Sequence, residues 1–143
     1  MGLVQNLYAG AKGCFSAFMH FFYQYNQSLA YQPELSLCFK CLYESELENC
    51  QILSKVLLNM GGDNKYYSSM KKYLSGYNVD YVKNVSKVFL LDVELLEYNM
   101  IGLKSTIAKV DNLDIKECLK QVLANKKKSL KILKEKYFKN NLI

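Results

Sequence analysis

Apolar side chains recur along most of this chain in alternating steps of four and three. That spacing lines one face of a helix packed nearly parallel to its neighbours. The first run is Val4, Tyr8, Ala11, Phe15, Phe18, Phe22, Tyr25 and Leu29, and it predicts a helix over about residues 2–30. Gln32-Pro33-Glu34 interrupts it, with Pro33 suited to the first turn of a new helix. The second run is Leu35, Phe39, Leu42, Glu46, Asn49, Leu53, Val56 and Met60, a helix over about 33–60 that Gly61-Gly62-Asp63 brings to an end. Residues 64–78 are polar and tyrosine-rich and read as a long crossover. A third helix, over about 79–109, offers Val82, Phe89, Leu90, Val93, Met100, Ile101 and Ile107 as its apolar side. After a short turn, with Asp114 as candidate N-cap, a fourth helix over about 114–138 presents Ile115, Leu119, Val122, Lys126, Ser129, Leu133 and Tyr137. Together these predict one all-α domain over residues 1–143, two helical hairpins joined by a crossover into a left-handed four-helix bundle.

Polar residues interrupt three of these seams near mid-helix. In LANKKKSLKIL three consecutive lysines span about 200° of helix circumference, so the apolar stripe must include one of them. Lys126 has Leu119, Val122, Leu130 and Leu133 as helical neighbours, whereas Lys127 and Lys128 adjoin mainly other polar residues. Lys126 is the lysine expected to point inward. The same test puts Glu46 among Phe39, Leu42, Cys50 and Leu53, and Glu97 among Leu90, Val93, Met100 and Ile101, with Glu94 one turn earlier. Asn49 and Ser129 follow Glu46 and Lys126 by three positions and share their faces. A buried ammonium needs a counter-ion, and these carboxylates are the candidates.

Composition narrows the function. Apolar residues make up 50% of the chain, which excludes disorder, and a single Pro with seven Gly leaves little turn material for an all-β fold. The net charge is +6 without one Arg, so the bidentate fork used on bases and phosphates is missing; no nucleic-acid partner is expected. The basic excess sits on the last helix and offers an acidic protein partner a surface. No stretch has the uninterrupted apolar length of a membrane span. The opening MGLVQNLYAGAKGCF lacks the basic and apolar regions of a signal peptide, and Asn6 stands where a myristoylation signal wants Ser or Thr. With five cysteines, too sparse for a disulfide scaffold, a reducing cytoplasm is the expected location.

The hairpin–crossover–hairpin order, the LYAG opening, and the stretches ESELENCQILSKVLLNMGGD and LKQVLANKKKSLKIL resemble the ferritin-like superfamily. The likeness is nearest to rubrerythrin-type and bacterioferritin-type di-iron proteins, over about residues 3–137. It implies a di-metal site built from a Glu on each of two helices and a Glu-x-x-His on each of the other two. By that resemblance the first-helix Glu falls at Ala11, the two Glu-x-x-His motifs at Glu46-x-x-Asn49 and Lys126-x-x-Ser129, and the third-helix Glu at Glu97 or Glu94. Both histidines and two of the carboxylates are therefore replaced. The resemblance then implies a non-catalytic protein whose site has become a network of Ala11, Glu46, Asn49, Glu94, Glu97, Lys126 and Ser129, with no cofactor and a homodimer as its partner. Its rival is an iron- or manganese-dependent oxidoreductase or peroxidase of rubrerythrin type, with Glu46, Glu94 and Glu97 as residual ligands. A third reading is a docking module that uses the basic last helix.

Other chemistry is thin. The one histidine, His20, has Gly13, Ser16, Gln24 and Gln27 on its face and is expected at the surface. Cys38-Phe39-Lys40-Cys41 lies within a predicted helix rather than after a strand, a weak redox signal. No phosphate loop or nucleophile motif is present.

Overall fold

The structure, a computed structural model, describes residues 1–66 and 85–139. Its helices are α1 (Gly2–Ala9), α2 (Cys14–Tyr31), α3 (Ser36–Asn59), α4 (Val85–Lys109) and α5 (Leu113–Lys139), with a 3-10 turn at Pro33–Leu35. There is no strand among the described residues. α1 and α2 are two pieces of one arm, so the fold is an all-α four-helix bundle. The greater part of the expected crossover, and residues 79–84 of the expected third helix, lie outside the described residues.

Ring contacts fix the helix directions. Phe89 of α4 lies 5.8 Å from Phe39 of α3 and 5.5 Å from Tyr137 of α5. Further along, Glu46, Asn99 and Lys126 meet. α3 and α4 therefore run parallel, and α5 runs antiparallel to both. α2 and α3 form the first hairpin, α4 and α5 the second, and α3 packs on α5 between them.

Helix ends follow local chemistry. Gly61 takes φ +79°, and Gly61 and Gly62 donate to the carbonyls of Leu58 and Leu57, closing the last turn of α3. α5 is capped by Asn112, whose Oδ1 accepts from the Ile115 amide, and not by Asp114, which lies inside the first turn.

The expected helix over 2–30 is broken at residues 10–13. A Cβ on Gly10 or Gly13 would sit 2.5 or 2.7 Å from the Asn6 carbonyl oxygen, so both positions require glycine for close backbone approach. The break shifts the helical phase. Val4 and Tyr8 point inward from α1, but α2 turns Cys14, Ala17, Phe21, Gln24 and Ser28 inward, leaving Phe22 and Leu29 exposed. Among the described residues apolar packing divides into two clusters. One gathers Leu53, Val56, Leu57, Leu103, Leu119 and Val122 beneath α1; the other gathers Phe21, Phe39, Leu42, Phe89, Leu96 and Leu133.

Candidate functional site

Between those two clusters lies a layer of polar side chains. Lys126, with Val122 before it and Leu133 after it on α5, is carried into the bundle centre and is 0% exposed. Its ammonium donates to Glu46 Oε2 of α3 at 2.6 Å and to Asn99 Oδ1 of α4 at 2.6 Å. Asn99 Nδ2 in turn donates to the Lys12 carbonyl, tying α4 to the break between α1 and α2. Asn49 Nδ2 reaches Glu46 Oε2 at 3.4 Å, and Asn125 Nδ2 donates to Asn49 Oδ1 at 2.8 Å. Ser129 is buried one turn beyond Lys126. Glu46 Oε1 receives no hydrogen bond from the described residues.

The electrostatics favour a charged pair. Burial pushes Lys126 toward neutrality, but the Cys14 sulfur and the Glu46 carboxylate outweigh it and hold the lysine above its ordinary range. Burial pushes the Cys14 thiol up to about 12, so at neutral pH it is uncharged and Glu46 supplies the counter-charge.

Not every residue expected at this site is there. Glu94 and Glu97 are exposed, and Glu97 Oε1 faces Lys134 3.6 Å away on the surface. Of the expected α4 seam, Phe89 is buried and Val93 and Ile107 pack against the core, but Leu90 and Ile101 are 52% and 70% exposed, while Val88, Asp92, Leu96, Asn99, Leu103 and Thr106 point inward. Ala11 is exposed in the break, and Cys14 adjoins Lys126 and Glu46 from the first arm. Asn99 and Cys14 are thus the site residues that the sequence pattern missed. The signal for Asn99 was present, since Asp92, Leu96, Asn99, Leu103 and Thr106 also repeat at four and three, but three of these five are polar.

His20 is buried rather than exposed. Ser16, His20, Gln24 and Ser28 form an inward polar strip on α2, and Gln24 Nε2 donates to Asp92 Oδ1 at 2.7 Å. Of the CxxC pair, Cys38 is buried and pushed up to about 12 by that burial, which disfavours the thiolate a redox role needs.

The structure is similar to the wild-type manganese catalase KatB from Anabaena, with a TM-score of 0.85 at 11% identity, over 98% of this chain and 71% of that one. The fold is ferritin-like. No family profile matches the sequence, and no curated protein matches it at a significant level.

The described residues around Lys126 do not offer the ligand set of a di-metal centre. Among the described residues no three His, Cys, Asp or Glu side chains gather so as to hold a metal ion. The single buried carboxylate of the layer already faces an ammonium at hydrogen-bond distance, and that charge repels a cation.

Proposed function

We propose that this ferritin-like chain is non-catalytic and that Lys126 occupies the role of the di-metal centre. It neutralises Glu46 and joins α3, α4 and α5, leaving the bundle a structural or binding role. The observation that carries this reading is the fully buried Lys126 ammonium at 2.6 Å from both Glu46 and Asn99. A manganese catalase with the same fold supplies the rival, a manganese- or iron-dependent oxidoreductase or peroxidase. Of the three residual ligands that rival calls on, Glu46 is buried, whereas Glu94 and Glu97 lie on the surface. Elemental analysis of protein purified without chelator tests the two. We expect no stoichiometric iron, manganese or zinc; close to two metal atoms per chain would overturn the non-catalytic reading.

A groove between α4 and α5, lined by Met100, Lys127, Leu130, Lys131, Lys134 and Glu135, favours acidic-partner docking as a second reading. Such an association would weaken with added salt. A second copy of the chain is the partner that the non-catalytic reading implies first. No helix among the described residues is long and apolar enough to cross a membrane. Five thiols, none in a disulfide, suit a reducing compartment, the cytoplasm by this reading.

A further inference from the structure

One wall of the groove between α4 and α5 is a row of lysines. Lys127, Lys131 and Lys134 follow one another at steps of four and three on α5 and share one face of that helix. The floor is apolar, made by Met100 and Leu130, both half-buried, and by the methylene stems of the lysines. The charge along the row is uneven. Lys134 faces Glu97 of α4 at 3.6 Å, and Glu135 lies at the same end of the groove. Lys127 and Lys131 form no ion pair among the described residues. The groove is therefore cationic at its Lys127 end, while at the other end two carboxylates stand around one lysine.

We propose that this groove takes an amphipathic helix of a partner protein, with the partner's carboxylates set against Lys127 and Lys131. The seven residues from Lys127 to Lys134 span about 10 Å, or two turns of such a helix. α4 and α5 close their backbone hydrogen bonds within themselves, so an extended peptide finds no sheet edge to join. Side chains must hold the partner, and a helix presents them in a row at the same steps of four and three. The groove holds about 340 Å³, less than one turn of a helix about 10 Å across. Apolar anchors thus enter it and the partner's backbone rests above. Glu97 and Glu135 repel a chain that is acidic throughout, which excludes a plain polyanion. A flat anionic bilayer would meet the same two carboxylates and would not reach Met100 and Leu130.

This inference gives a form to the acidic-partner docking read above and rests on it. Fluorescence anisotropy with the full chain tests it. The probe is a labelled helical peptide of about 15 residues, with leucines at steps of four and three, Glu in its N-terminal half and Lys in its C-terminal half. It should bind about tenfold more tightly than polyglutamate of equal length. Lys127→Glu with Lys131→Glu should weaken the helical probe about tenfold. Lys55→Glu with Lys109→Glu, the same change of charge outside the groove, should alter it by less than about twofold. All four lysines are exposed, so both variants should melt close to the parent. Polyglutamate bound as tightly as the helical probe would keep acidic docking and overturn the helix; binding of neither would overturn both. Equal losses in the two variants would reduce the attraction to net charge and overturn the groove as its site. Pelleting with phosphatidylserine–phosphatidylcholine vesicles that Lys127→Glu with Lys131→Glu abolishes would make the face a lipid surface and overturn the protein partner. None of these results touches the Lys126 layer, whose test is metal content.

Discussion

At the scale of residues, the Lys126–Glu46 contact is set by two opposing quantities. Taking both charges out of water costs several kcal/mol, and only a short, well-placed contact offsets that cost. Removing one partner is therefore worse than removing both. Lys126→Met should lower the unfolding free energy by about 3 kcal/mol in a denaturant titration, because Glu46 is left charged and dry. Glu46→Gln in the same chain should recover much of that loss. Glu97→Gln should change stability by less than about 0.5 kcal/mol, since Glu97 and Lys134 are both about half exposed. Equal losses from Glu46→Gln and Glu97→Gln would show that the buried pair is no stronger than the surface one.

At the scale of elements, the arm made by α1 and α2 depends on four residues that are not helical. Gly13→Ala would force a Cβ to within 2.9 Å of two backbone carbonyl oxygens, and backbone cannot swing aside as a side chain can. The expected loss is about 1–3 kcal/mol, read as a lowered midpoint in chemical denaturation. An unchanged midpoint would mean that the break relaxes freely. This break also explains what the sequence could reveal. α3 and α5 each carry one apolar stripe, and reading it located Glu46, Asn49, Lys126 and Ser129 on inward faces. α2 and α4 each carry two. In α2 the break moved the phase from Ala11 to Cys14; in α4 the more apolar stripe through Leu90 and Ile101 is the outer one. Hydrophobicity alone cannot choose between two stripes when the correct one contains Asp92, Asn99 and Thr106. That choice depends on what the facing helix presents, and Gln24 and Lys126 present polar atoms to Asp92 and Asn99.

At the scale of the whole molecule, two apolar clusters are joined through one ionic layer contributed by all four arms. If that layer descends from a di-metal site, its positions should accept the ancestral residues. Cys14→Glu, Asn99→Glu and Lys126→Glu, with Asn49→His and Ser129→His, would surround Glu46 with carboxylates and imidazoles. Without metal that variant should melt below the parent, as like charges share a dry space. Ferrous iron or manganese should raise its melting temperature and leave the parent unchanged, since only the folded variant binds. An equal response from both would sink the proposed correspondence. The buried amine has one more consequence, for how opening of the bundle can be timed. Acylating reagents modify amines that are unprotonated and in contact with water, and Lys126 is neither while the bundle is closed. Exposed lysines such as Lys127 and Lys128 sit beside it in sequence and react continuously. The lag of label at position 126 behind its neighbours is therefore a clock for bundle opening, built into the chain by the residue that holds it shut.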